Sequence, residues 1–259
     1  MTKILHIENL SIGYTSKKKE TLVAKQINVS INKPKLIALI GVNGIGKSTL
    51  LRTISKVQPY LKGKIEVFDK NINDYKATEF SKKISLVLIE KIPSSNLTVY
   101  EVIALGRQVY TNWIGTLSSN DKDIIKEAAS IVNINHVLHD KIDELSDGQY
   151  QKVMIARALA QDTDIILLDE PTAHLDIINK VEIFKLLKDL VVNKNKTIII
   201  SSHELQLAIQ TANDLWLMNK NSFIQGSKEK LIANNEIQKI FTSNNITFNK
   251  KTNQFLFDY

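Results

Sequence analysis

The sequence predicts an α/β chain. A core with a mixed or parallel sheet carries an N-terminal antiparallel β region and an inserted helical subdomain. Three observations support this. Early apolar runs alternate with polar residues at period two, as half-buried strands do. Two later runs, Ile165-Ile166-Leu167-Leu168 and Thr197-Ile198-Ile199-Ile200, are continuously apolar, as in parallel strands covered on both faces. Between the early and late strands, residues 98 to 160 are mostly helical in pattern.

Taken in order, Ile4-Leu5-His6-Ile7 and Ile27-Asn28-Val29-Ser30-Ile31 read as the first strands. Leu36-Ile37-Ala38-Leu39-Ile40 is an apolar run of strand length, and Ser48-Thr49-Leu50-Leu51-Arg52-Thr53-Ile54 opens a helical pattern. Lys64-Ile65-Glu66-Val67-Phe68 alternates after Gly63, and Ile84 to Ile89 is a buried-strand candidate. Helices are expected from Thr98 to Leu105, Asp121 to Val132, Lys152 to Ala160 and Ile177 to Asn193. The tail from Asn219 to Tyr259 reads as a short strand, a helix over Lys228 to Phe241, and a final extended piece.

Composition narrows the function classes. At 259 residues and 43% hydrophobic, the chain can bury a real core in one large domain or two small ones. No run of eighteen apolar residues is present, so no membrane span is expected, and the N-terminus lacks the apolar stretch of a signal peptide. With no cysteine, disulfides and thiolate metal sites are excluded, which fits a cytosolic protein. The net charge of +7 suits an anionic partner. The lysines are scattered, however, and the densest run, Lys17-Lys18-Lys19, reads as a loop tip. No nucleic-acid partner is therefore expected.

The most informative segment is Gly41-Val42-Asn43-Gly44-Ile45-Gly46-Lys47-Ser48-Thr49. It sits between a strand and a helix start, the context a phosphate-binding loop requires. Its glycines let backbone N–H groups turn inward around a polyphosphate, and the helix dipole adds positive potential there. Lys47 can reach the β- and γ-phosphates, and the Ser48 hydroxyl can ligate Mg²⁺. A glycine-rich turn without that use is the alternative, and the flanking strand and helix speak against it.

Three other segments belong beside it. Ile165 to Leu168 ends in Asp169-Glu170. In phosphate-loop enzymes such an acid holds Mg²⁺, usually through water, and Glu170 is placed to polarise an attacking water. Asp-Glu-Pro also serves as an ordinary strand exit. Leu145-Ser146-Asp147-Gly148-Gln149 precedes a helical stretch. Ser146 either caps that helix or, with Gly148 and Gln149, forms a second anion-binding helix start. One nucleotide cannot easily touch both helix starts of one subunit, so a symmetric head-to-tail dimer is expected. His203, beyond Thr197 to Ile200, is either structural or a donor to a γ-phosphate.

Together these segments resemble the ATP-binding subunits of ABC transporters, and the resemblance covers nearly the whole chain. Gly41 to Thr49 resembles the Walker A loop, Leu145 to Gln149 the signature motif, and Ile165 to Glu170 Walker B. Ala173-His174-Leu175-Asp176 is similar to the D-loop and His203 to the switch histidine. Tyr14 sits where the family places an aromatic that stacks on adenine; otherwise it is a half-buried strand residue. The segment Leu97 to Arg107, extended by Asn112-Trp113-Ile114-Gly115, is similar to importers of iron-siderophores, haem and cobalamin. In such transporters this region faces the permease.

The resemblance implies a P-loop NTPase core in one ABC ATPase domain over 1–259, with a helical subdomain at about 91–160 and a C-terminal extension at about 219–259. It implies Mg²⁺-dependent ATP hydrolysis with Glu170 and His203 as catalytic groups. Tyr14, Gly41, Asn43, Gly44, Gly46, Lys47, Ser48 and Thr49 would bind ATP, and Ser146, Gly148 and Gln149 the partner's ATP. It further implies a homodimer, an integral membrane permease, indirectly a substrate-binding protein, and a peripheral place on the cytoplasmic face of the membrane. Non-transport ABC ATPases acting on ribosomes or DNA show two cassettes or a long coiled-coil insert, neither of which is found here. A regulatory ATP sensor with little hydrolysis is a third class.

Three positions depart from the family. Where it has a Q-loop glutamine, Ile89-Glu90-Lys91 stands, and Glu90 is the substitute, able to ligate Mg²⁺ or its water. Asp147 replaces the usual signature glycine, leaving Ser146, Gly148 and their N–H groups to make the phosphate contact. His174 replaces a commoner small residue in the D-loop.

Overall fold

The continuously apolar runs lie side by side, and each feeds two cores at once. The computed structural model describes residues 2–16, 19–88, 96–220, 222–240, 246–250, 252 and 254–257. A six-stranded sheet has the order β10 (Phe223–Ser227), β9 (Asp214–Met218), β3 (Leu36–Ile40), β8 (Thr197–Ser201), β7 (Ile165–Asp169), β6 (Ile84–Val87). Its strands are parallel except β10, which pairs antiparallel with β9. An antiparallel sheet has the order β2 (Lys19–Ile31), β1 (Leu5–Ser16), β4 (Lys62–Val67), β5 (Lys70–Asn71).

Because side chains alternate along a strand, each central strand divides between two cores. Leu36, Ala38, Ile40, Ile166, Leu168, Ile198 and Ile200 face one. Ile37, Leu39, Ile165, Leu167 and Ile199 face the other. The second core is closed by the antiparallel sheet and by α1 (Lys47–Ile54), whose Leu50, Leu51 and Ile54 are fully buried. The first is closed by α3 (Val99–Ala104), α4 (Ser119–Ile131), α5 (Asp147–Ala160), α6 (Ile177–Lys194) and α7 (Leu205–Thr211). A one-turn helix, α2 (Ala77–Phe80), precedes β6 and buries Phe80 in the second core.

The helices after β6 start where local chemistry satisfies their free N–H groups. Thr98 with Glu101, Ser118 with Asp121, and Ser146 with Gln149 each form a capping box. Arg107 ties the group together: Nε donates to Asp121 Oδ1 at 2.8 Å and Nη1 to the Ala160 carbonyl at 2.8 Å. Its guanidinium lies 3.9 Å from the Tyr110 ring centroid.

Four of the elements proposed from sequence have different bounds or form in the structure. The first two strands extend far beyond their apolar runs, because they pair with each other from Leu5↔Ile31 to Ser16↔Lys19. Helix α5 begins at Asp147 rather than Lys152, since Ser146 caps it. The expected helix over Lys228 to Phe241 is two, α8 (Lys228–Ala233) and α9 (Glu236–Ile240), separated by Asn235 at φ 60°. The final extended piece is one arm of a hairpin, β11 (Ile246–Asn249) with β12 (Gln254–Phe257). Among the described residues no helix is long and apolar enough to cross a membrane.

Candidate functional site

Strands β3, β7 and β8 run parallel and adjacent, so their C-terminal ends open on one edge of the sheet. That edge is where ligands bind in open α/β sheets. The Gly41–Gly46 loop leaves β3 there, and α1 starts at Lys47. Gly44 has φ 74° and Gly46 φ 110°, conformations a side chain resists. They curl the loop back on itself. Asn43 and Gly44 at its tip are exposed, whereas Gly41 is buried against the Met218 carbonyl.

Lys47 is buried, with 5% of its surface accessible. Its Nζ donates to the Gly41 carbonyl at 3.0 Å and the Val42 carbonyl at 3.4 Å. It also lies 3.6 Å from Glu170 Oε1. Glu170 Oε2 in turn lies 3.4 Å from His203 Nδ1. The structure thus gathers three residues, from the segments that follow β3, β7 and β8, into one chain of contacts, Lys47–Glu170–His203.

Asp169 ends β7 and is 2% accessible. Its Oδ1 accepts from Ser201 Oγ at 2.7 Å. Glu170, next along, has φ 47°, and its N–H donates to Ser201 Oγ at 2.9 Å. Ser201 is the member of this site that the sequence reading passed over. It was visible only as a hydroxyl ending an apolar run, and its partners depend on strand register.

Tyr14 belongs to β1 and is half exposed, at 51%. Its hydroxyl and that of Thr49 are 2.7 Å apart, which attaches the ring to the first turn of α1. Ser146 is exposed and caps α5: its Oγ accepts from the Gln149 N–H at 3.3 Å, and Gln149 Oε1 accepts from the Ser146 N–H at 3.0 Å. Gly148 is buried against Asn179, whose carboxamide oxygen would lie 2.8 Å from an added Cβ. Asn179 is held by Asp176, the N-cap of α6, so Asn179 links the Gly148 and Asp176 segments. His174 is exposed, at φ 65°. Glu90 lies outside the described residues.

The residues present suit Mg²⁺. Ser48, in the first turn of α1, offers a hydroxyl and Asp169, at the end of β7, a carboxylate, both hard oxygens. Among the described residues no cluster of three or more acids, histidines or cysteines forms a dedicated cage. One or two protein oxygens, completed by phosphate and water, is how Mg²⁺ is commonly bound.

Comparison with known proteins gives the chain its family. The model of a family described as ABC transporter matches residues 24–173. An uncharacterized ABC transporter ATP-binding protein of Methanocaldococcus jannaschii is 36% identical over 97% of this chain and 86% of its own length. The iron(3+)-hydroxamate import ATP-binding protein FhuC of Bacillus subtilis is 32% identical over 92% and 87%. The molybdate import ATP-binding protein MolC of Haemophilus influenzae is 30% identical over 93% and 89%.

Among solved structures, one titled as an inward-facing "putative metal-chelate type ABC transporter" superposes with a TM-score of 0.80 at 30% identity, covering 92% of this chain and 89% of that one. A dimeric ATP-binding cassette in a post-hydrolysis state, bound to ADP and Pi, gives 0.74 at 25% identity over 86% and 98%. With a family model spanning more than half its length and relatives matched almost end to end, the chain belongs to the ABC transporter family, as an ATP-hydrolysing subunit.

Proposed function

We propose that two copies of this chain energise an importer of metal chelates of the iron-siderophore, haem or cobalamin type. They would do so from the cytoplasmic face of the membrane, bound to an integral membrane permease that receives cargo from a substrate-binding protein. The observation that carries the hydrolytic part is the Lys47–Glu170–His203 chain of contacts at the mouth of the glycine loop.

The reaction follows from that arrangement. The loop amides from Gly41 to Gly46 and the start of α1 receive the phosphates, Tyr14 stacks on the adenine, and Lys47 exchanges loop carbonyls for phosphate oxygens. Ser48 and Asp169 would hold Mg²⁺, which would supply positive charge to offset that of the phosphates. As Lys47 turns to phosphate, Glu170 is released to orient and polarise a water for in-line attack. His203, beside Glu170, donates to the γ-phosphate. The Ser146–Gly148 segment of a second copy closes the site. Positioning and electrostatics supply most of the acceleration.

The cargo class is supported by FhuC and by the metal-chelate type structure, whereas MolC points to molybdate. The likeness of the Leu97–Arg107 segment to chelate importers favours the chelate reading. Affinity purification of the chain from detergent-solubilised membranes tests the transport assignment. A polytopic partner whose reconstitution gives ATP-driven uptake of a ferric chelate supports it. Recovery with ribosomes and no membrane partner would overturn it, and uptake of molybdate in place of the chelate would overturn the cargo class.

A further inference from the structure

We infer that Ser201 is a positioning residue for hydrolysis, its one hydroxyl holding Asp169 and Glu170 in a fixed relation. This rests on the reading of those two acids given above. Ser201 ends β8 and stands opposite Asp169 in the parallel β7–β8 pair. It is fully buried, and Asp169 nearly so. Its Oγ donates to Asp169 Oδ1 at 2.7 Å and accepts from the Glu170 N–H at 2.9 Å. The direction of each bond follows from the partners, because a carboxylate accepts and an amide N–H donates. With its one proton committed to Asp169 and a lone pair to the Glu170 N–H, the hydroxyl has one orientation.

The residue it holds needs holding. Glu170 has φ 47°, a left-handed conformation that a residue with a Cβ adopts only when its surroundings impose it. Its N–H also meets the Ser201 carbonyl at 3.2 Å, so two polar groups of Ser201 fix the peptide from which the Glu170 side chain departs. That side chain reaches Lys47 and His203. A displacement of about 1 Å at a reacting group can cost on the order of 100-fold in rate. Packing alone does not call for serine here, since the preceding residues Ile198, Ile199 and Ile200 fill the same buried strand with hydrocarbon.

The test compares Ser201→Ala, Ser201→Val and Ser201→Thr with Glu170→Gln in the full chain. Val and Thr have nearly the same shape, and only Thr keeps the hydroxyl, so their difference isolates the hydrogen bonds from packing. In Ser201→Ala and Ser201→Val, kcat for ATP falls about tenfold or more, equal to about 1.4 kcal/mol of barrier. ATP Kd stays within about twofold, because Lys47 and the loop are untouched, and Ser201→Thr recovers kcat to within about threefold of wild type. If Glu170→Gln turns over like wild type, the reading of Glu170 fails and Ser201 has nothing to position. If Glu170→Gln is inactive while Ser201→Val is as fast as wild type, or Ser201→Thr as slow as Ser201→Val, this inference fails alone.

Discussion

Lys47 Nζ lies 3.6 Å from Glu170 Oε1, so the cation assigned to phosphate and the carboxylate assigned to water are held against each other. A phosphate oxygen that takes Lys47 must compete with that carboxylate for the same charge. Glu170→Gln removes the competitor and the general base together. Its kcat falls by about 100-fold or more, in the range for loss of general-base catalysis, while ATP Kd stays equal to or below that of wild type. Phosphate release and calorimetric titration check the two halves. A weaker ATP Kd with unchanged kcat would reverse the assignment.

Ser146 has two readings that one pair of variants separates. Its Oγ caps α5, and Ser146→Ala should cost about 1 kcal/mol of stability for that reason alone. Aspartate caps a helix as well as serine and suits the positive helix terminus. Ser146→Asp should therefore unfold within about 0.5 kcal/mol of wild type in urea. It also places a negative charge where the partner's phosphate would sit. In a Glu170→Gln background, with light scattering as the readout, Ser146→Asp should abolish ATP-induced dimerisation and Ser146→Ala should only weaken it. Dimerisation of Ser146→Asp at wild-type ATP concentrations would reduce Ser146 to a cap.

Both variants act at places the sequence marked clearly, and the reason is that their information is local. Leu36 to Ile54 carries strand, turn and helix start in one contiguous stretch, and the structure has β3, loop and α1 there. What depends on register was not legible. Strand β9 is a short apolar run whose parallel partner, β3, lies far back in the chain, through Ile37↔Asp214 to Ile40↔Leu217. The role of Ser201 required knowing that it faces Asp169. Asn235, which breaks the tail helix, gave no stronger signal than the other asparagines around it.

The segment read as facing a permease divides in two. Gly106 and Arg107 are buried, and Arg107 braces the helices from inside. Trp113 and Ile114 are 94% and 68% exposed, and Tyr100, Ala104, Leu105 and Leu117 line a groove nearby. Exposed large apolar groups of this kind mark interaction sites. Trp113→Ser should leave phosphate release by the isolated chain within about twofold of wild type and lower the amount of polytopic partner recovered with it from membranes. Undiminished recovery would remove Trp113 from the contact.

Arg107 and Asp121 give a prediction about acid stability. The Asp121 carboxylate is held below the usual range, first by the Ser118 hydroxyl and then, against the opposing effect of burial, by the Ser118 N–H and the Arg107 guanidinium. A depressed folded-state pKa contributes stability that is fully present above the unfolded value, about 3.9 for Asp. That contribution is lost as pH falls below the unfolded value toward the folded one. Urea midpoints taken from pH 6 down to pH 3 should therefore fall more steeply in wild type than in Asp121→Asn. Arg107→Met, which leaves the buried carboxylate without its cation, should be the harsher change at neutral pH, by about 3–5 kcal/mol. The two substitutions combined should cost less than their sum, because each removes the group that the other leaves unpaired. Strict additivity would mean that Arg107 stabilises the helices through the Ala160 carbonyl and the Tyr110 ring rather than through Asp121.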